Sequence, residues 1–321
     1  MAVYTDVTDQ DLNTLISSYD IGEIVTCKGI AEGVENSNFL LATTRDIYIL
    51  TLYEKRVNPD QLPFFLGLME HLAEHGFESP VPIKTLAGTA LSECAGRPSA
   101  IISFLNGQWP RKPTVKHCTG LGTALGRMHV AGLNYHQTRT NDLSLSGWKN
   151  LFARCAKQAD AVAPGLAADM TSELAYLEAH WPNDLPHGLI HADAFPDNIF
   201  FLGDTFSGMI DYYFACTDVL AYDIAICLNA WCFDLDGQFN ITKAKALLAS
   251  YGAERRLSGA EIIALPLLCR GAAVRFLLTR LYDWINHAPG TLVTPKDPKE
   301  YLNKLRFHQS VRGPGEYGVI L

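Results

Sequence analysis

The chain is short of the features that would make several functional classes easy to assign. Its eight cysteines, at 27, 94, 118, 155, 216, 227, 232 and 269, form no Cys-x-x-Cys pair. That argues against a zinc site of two close pairs and for reduced, mostly buried thiols in a cytoplasmic setting. No unbroken apolar run approaches eighteen residues, so no membrane-spanning segment is expected. The N-terminus carries early acids and no basic-then-apolar leader pattern. Basic charge is also scarce: 26 Lys and Arg against 34 Asp and Glu, a net charge of −8. A nucleic-acid footprint made by charge is therefore not expected. There is no internal repeat and no low-complexity tract.

What remains is a globular composition, 48% hydrophobic and 19% charged over 321 residues, long enough for two domains or one bilobal fold. The first third reads as β-rich. Residues 5–20 suggest a short helix capped by Thr8. Ile24–Thr26, Phe39–Thr43 and Ile47–Leu52 alternate as strands. A helix follows from Pro59 to Gly76, and then Leu86–Cys94 and Pro98–Leu105 complete a five-stranded antiparallel set. From Lys116 the period becomes helical, over 117–131, 148–163, 167–180, 222–233, 242–251 and 258–286. The last 30 residues, rich in Pro, Lys and Gly, are expected to wrap the surface. The organisation predicted is α+β: a β-rich lobe over 1–105 and a larger helical lobe over 106–321, with Asn106-Gly107 as the crossing.

The most informative segment lies in the second half. His191-x-Asp193 is followed by Asn198, five residues beyond Asp193, and an apolar strand. A second apolar strand then ends at Asp211. Phosphoryl transfer to a hydroxyl needs these residue types. A carboxylate within reach of the acceptor takes its proton, the role expected of Asp193. Magnesium prefers hard oxygen ligands, which Asn198 and Asp211 offer. The spacing matches the catalytic loop of protein-kinase-like enzymes. His191 is read as a structural brace. The polar connection from Gly29 to Asn38, with Gly33 in it, could fold over phosphates through backbone N–H groups, or could simply join two strands.

The chain resembles the aminoglycoside-phosphotransferase-like branch of the kinase fold. The resemblance covers nearly all of it and rests on Asn36-Ser-Asn38-Phe39, Ile49–Leu52, Leu121-Gly122-x-x-Leu125-Gly126-x-x-His129, His191-x-Asp193-x(4)-Asn198 and Ile210-Asp211. Within that branch it is similar to the homoserine kinase family through Ile210–Asp218, Ala221–Phe233, Arg270–Phe276 and Asp297-Pro298-x-Glu300-Tyr301. The resemblance implies a bilobal protein-kinase-like fold with ATP bound in the cleft. It also implies transfer of the γ-phosphate of ATP, with Mg2+, to the hydroxyl of L-homoserine. By position it makes Asp193 the base, Asn198 and Asp211 the metal ligands, and Gly33, Asn38 and Leu105 nucleotide contacts.

Two departures from the family pattern matter. Thr51 stands where a typical kinase strand carries its phosphate-binding lysine, with Lys55 four residues later. Glu70 is the sole acid in the middle of the following helix and is read as solvent-facing. At the acceptor end, Arg275 is the favoured partner of the substrate carboxylate, with an ion pair to Asp218 or Asp223 as its alternative. Asp218 and Tyr222 are expected to line the acceptor pocket, and Asp223 to brace a helix. Antibiotic, choline or methylthioribose kinases, or a nucleotide-binding pseudokinase, are the competing functional readings. A monomer or a homodimer is expected.

Overall fold

The computed structural model describes residues 5–30, 36–54, 58–287 and 295–319. They divide into two compact units, one made of residues 1–106 with 208–210, the other of 107–207 with 211–321.

The smaller unit is built on a five-stranded sheet. Its strands are β1 (Ile24–Gly29), β2 (Ser37–Thr43), β3 (Ile47–Leu52), β4 (Ser92–Cys94) and β5 (Arg97–Ser103), in the order β1-β2-β3-β5-β4 with every neighbour antiparallel. Helix α1 (Asp9–Ile16) opens with a capping box: the Thr8 hydroxyl accepts the Asp11 N–H, and Asp11 accepts in return from Thr8 N. Its Leu12, Leu15 and Ile16 join Phe39, Leu41, Leu50 and Ile101 in a core beneath the sheet. The helix expected over 59–76 is a 3-10 turn at Pro59–Gln61 running into α2 (Leu62–Glu74). Gly76 ends it in a left-handed conformation.

In the larger unit, α3 (Val115–Gly132) and α7 (Ile241–Glu254) approach very closely. A Cβ on Gly122 would lie 2.2 Å from the Leu247 carbonyl oxygen, and one on Gly126 would lie 2.6 Å from Glu254 Cβ. Helices α4 (Leu145–Val162) and α5 (Leu166–His180) pack beside α8 (Gly259–Asn286), which also meets α6 (Leu220–Trp231). Two short sheets carry the chemistry-bearing loops: β6 (His187–Ile190) with β9 (Cys216–Val219), and β7 (Ile199–Leu202) with β8 (Thr205–Met209).

One expectation is corrected and another is qualified. The C-terminal tail does more than wrap the surface: Lys299–Ser310 forms α9, with Tyr301, Leu302, Leu305 and His308 buried. That i, i+1, i+4, i+7 stripe is amphipathic, but the charged residues between its members hide it in a composition count. In addition, one helix among the described residues, α8, is long and apolar enough to cross a membrane, although no unbroken run marks it. Most of that window is buried inside the protein, where its Arg270 is held by both carboxylate oxygens of Glu173.

His308 sits at the α9 end of this core. Its Nε2 donates to Asn229 Oδ1 at 3.1 Å, and the Tyr317 hydroxyl lies 2.8 Å from Nδ1. Burial, helped by Lys304 and Arg270, lowers its pKa to about 3. The folded protein therefore keeps His308 neutral while the unfolded chain takes up a proton below about pH 6.5. Stability falls as pH drops through that window, by about 2 kcal/mol between pH 6.5 and 5 from this group. Urea unfolding at the two pH values should show that loss in the wild type and a correspondingly smaller one in His308→Gln. Equal pH slopes would remove His308 as the cause.

Candidate active site

The start of the loop after β6 is held by side chains from other elements. Asp223, on the first turn of α6 and fully buried, accepts the N–H of His191 at 2.8 Å and that of Ala192 at 2.9 Å. His129 Nε2, from α3, donates to the same carboxylate at 3.1 Å. Burial pushes the Asp223 carboxyl up, but the His129 hydrogen bond, the neighbouring His129 and His191 rings and the His191 N–H outweigh it, so it lies below its ordinary value. Arg275, from the middle of α8, donates to the Ala192 carbonyl, and Trp231 Nε1 donates to the Ala194 carbonyl at 2.7 Å. Ala192 is thereby fixed at φ +62°, a left-handed conformation that a non-glycine residue keeps only under outside constraint.

Asp193 projects from this clamped loop. Its N–H donates to His191 Nδ1 at 3.2 Å. Asn198 Nδ2 donates both to the Asp193 carbonyl, at 2.9 Å, and to its carboxylate Oδ2, at 3.2 Å. The amide of Asn198 therefore orients Asp193 while its own Oδ1 has no partner among the described residues.

Asp211 follows β8 and is a second non-glycine in the left-handed region, at φ +65°. It opens a 3-10 turn, Tyr212–Phe214. The Tyr212 ring packs 5.0 Å from that of His191, and Phe214 lies 5.5 Å under the Arg275 guanidinium. These contacts set the Asp211 segment beside the Asp193 loop. The donor set, two carboxylates and an amide oxygen, suits a hard cation. Among the described residues no group of three His, Cys, Asp or Glu side chains could hold a metal unaided. An ion here would complete its shell with phosphate oxygens, as magnesium commonly does.

The remaining candidates are placed as follows. Asn38 Oδ1 accepts the Thr51 hydroxyl at 2.8 Å, across the β2–β3 register. Leu105 lies just past β5, and its backbone N–H and C=O make no hydrogen bond among the described residues. Gly33 and Lys55 lie outside the described residues. Glu70 is ion-paired with Lys84, not with any group on β3. Arg275, expected at the acceptor carboxylate, is 1% exposed and directed to loop backbone. Neither of its expected alternatives, an ion pair with Asp218 or Asp223, forms.

Asp218 accepts from Asn141 Nδ2 and from Val219 N, each at 2.7 Å. It lines a cavity of about 380 Å³ with Tyr222, Ser144, Ser146, Lys149 and Trp181. In the β6–β9 register it stands opposite Gly188, five residues before Asp193. The supports that sequence reasoning missed are Trp231 and the Tyr251–Arg255 pair behind His129. Only the His129 motif gave any signal of them, since its partners lie 94 and 122 residues away.

Comparison with known proteins adds to this geometry. Residues 26–259 match the model of the phosphotransferase enzyme family. A homoserine kinase of Rhodospirillum rubrum is 60% identical over 319 residues, covering 99% of each chain. A homoserine kinase of Bradyrhizobium diazoefficiens is 61% identical over 321 residues, 100% of this chain and 98% of that one. Among solved structures, an amicoumacin kinase in complex with AMP-PNP, Ca2+ and its ligand superposes with a TM-score of 0.70 at 15% identity, over 94% of this chain and 92% of that one. A spectinomycin phosphotransferase in complex with ADP and spectinomycin gives 0.68 at 14% identity, over 98% of each. The fold is therefore that of the protein-kinase-like phosphotransferases.

Asp223 offers the sharpest test of the clamp. Asp223→Ala leaves two loop N–H groups and His129 unsatisfied in the interior, and should destabilise the protein by about 3–5 kcal/mol while lowering turnover through a displaced Asp193. Asp204→Asn, which removes a surface pair with Lys116, should leave both unchanged. Denaturation midpoints and kcat measured together check it. A stable Asp223→Ala protein with full turnover would contradict the clamp.

Proposed function

The chain belongs to the phosphotransferase enzyme family, and from that premise we propose that it is an ATP-dependent kinase that transfers the γ-phosphate of ATP to the hydroxyl of L-homoserine, giving O-phospho-L-homoserine for threonine biosynthesis. The observation that carries the acceptor is the full-length identity with homoserine kinases. The site geometry supports the reaction type.

In this reading Asp193 accepts the hydroxyl proton as the new P–O bond forms. Its carboxylate is oriented by Asn198 Nδ2, and its backbone by His191, Asp223, Arg275 and Trp231. Asn198 Oδ1 and the Asp211 carboxylate would hold Mg2+, which when bound neutralises charge on the transferring phosphoryl group. The unbonded backbone at Leu105 is suited to an adenine edge, and Asn38 to the nucleotide side of β2. With Thr51 bonded to Asn38 in place of a strand lysine, phosphate contacts fall to backbone N–H groups and the cation. The enzyme would work in the cytoplasm, where its eight free cysteines stay reduced.

Purified protein with Mg-ATP should turn over L-homoserine, and not choline, methylthioribose or kanamycin. Turnover of one of those others instead would reassign the acceptor, and ATP binding without turnover of any would mark a pseudokinase. Asp193→Asn should lower kcat by about 10²–10⁴-fold with ATP affinity little changed. A variant at near-wild-type kcat would take the base role from Asp193.

A further inference from the structure

The acceptor is an amino acid, so its carboxylate needs a receiver. Arg275 is enclosed and occupied by the loop. Asp218 is an anion and would repel a carboxylate. A four-carbon acceptor spans roughly 5 Å on standard bond lengths. The receiver must lie near the base.

The corner where the end of α8 meets α9 touches the Asp193 loop through Phe195 and carries an arginine. Arg280 lies flat over the Tyr301 ring, its guanidinium carbon 4.5 Å from the ring centroid. Tyr301 packs 5.3 Å from Phe276 and 6.5 Å from Phe195, and Phe195 is two residues from Asp193. The Tyr301 hydroxyl is buried with no hydrogen-bond partner, as is Arg275 Nε, and a buried polar group left so is unfavourable unless a ligand supplies the partner. Asp193, Arg275, Arg280 and Glu300 all act on that hydroxyl electrostatically.

Arg280 is held through one nitrogen. Its Nη1 donates to Glu300 Oε2 at 2.5 Å and to the Asp297 carbonyl at 3.4 Å. Its Nε and Nη2 make no hydrogen bond among the described residues. Those two nitrogens form the side-on edge by which a guanidinium grips a carboxylate with two parallel bonds. Three cations, Arg275, Arg280 and Lys304, stand near Tyr301 against two acids, Glu300, which pairs with Arg280 and Lys304, and Asp193. Burial would raise the Glu300 carboxyl, yet Lys304 and Arg280 carry it down to about 2. Lys304 itself is taken up by Glu300 and the Asn229 carbonyl.

We propose that Arg280, seated on Tyr301, binds the carboxylate of the acceptor through its Nε–Nη2 edge and so selects an α-amino acid over a plain amino alcohol. This rests on the homoserine kinase reading. The test is steady-state kinetics of full-length wild type, Arg280→Gln and Arg280→Lys on L-homoserine and on 3-amino-1-propanol, its counterpart without the carboxylate. The ratio of kcat/KM for homoserine to that for aminopropanol should fall about 10–100-fold in Arg280→Gln, the range for a lost hydrogen bond to a charged group. Arg280→Lys, which keeps the charge and the contact with Glu300 but not the fork, should show a smaller fall, and serves if the glutamine variant does not fold. An unchanged ratio in either folded variant, or equal loss on both acceptors, overturns the role of Arg280. A wild type inert on homoserine overturns the functional reading itself.

Discussion

The catalytic half of this molecule depends on one buried carboxylate. Asp223 must stay ionised without access to water, because its two oxygens are the acceptors that hold His191 and Ala192 in a conformation the chain would otherwise leave. An isolated charge in that position would be strongly unfavourable. It is sustained by a relay of hydrogen bonds: Glu261 accepts from Arg255 Nη1 at 2.9 Å, Arg255 donates to the Tyr251 hydroxyl at 3.0 Å, Tyr251 meets His129 Nδ1 at 2.7 Å, and His129 Nε2 meets Asp223 at 3.1 Å. Four helices contribute to that line. The close approach of α3 and α7, which Gly122 and Gly126 permit, sets His129 against Tyr251.

Seen from this constraint, Arg275 belongs with Asp223. One side chain holds the loop by its N–H groups, the other by the Ala192 carbonyl. The guanidinium also lies against Phe214 and Phe276, so the segment after Asp211 and the face of α8 share one cation. Removing either side chain leaves buried backbone polar groups of the same short segment without their partner. Such networks resist pairwise accounting, because each bond polarises the next.

The parts of the site legible in the sequence were those whose chemistry restricts residue type over a short distance. Asp193 and Asn198 must both be present, five apart, and Asp211 must end a strand. Likewise β2 and β3 announced themselves because period-two alternation is local. Long-range supports carry no such signal. Arg275 meets Ala192 across 83 residues, and an arginine in an apolar helix reads equally well as a substrate ligand or a loop strut. Helix α9 was missed because four charged side chains are interspersed with its buried stripe, and β6 and β9 because so short a strand makes no period and, unlike β7, has no motif residue marking its start. The position of Thr51 was legible, yet its bond to Asn38 needed the cross-strand register.

The division between what is held and what varies bears on acceptor choice. Solved kinases at 14–15% identity superpose on nearly all of this chain, among them proteins with amicoumacin or spectinomycin bound. A framework shared with such acceptors cannot itself choose among them. In the proposed reaction the Asp193 loop, with its clamp, would perform a step common to any alcohol, so discrimination would come from side chains that touch the acceptor beyond its hydroxyl. In this chain Arg275 and Phe276 of α8 meet the loop at Ala192 and Phe195, Tyr301 of α9 packs against Phe195 as well, and Arg280, a turn further along α8, lies over Tyr301. On the proposed reading one helix, α8, serves both ends: its middle holds the Asp193 loop through Arg275, and a later turn carries Arg280. Rigid support of the reacting group and adjustable recognition of the remainder are then separated along a single element, which lets acceptor preference change without disturbing the carboxylate on which the chemistry rests.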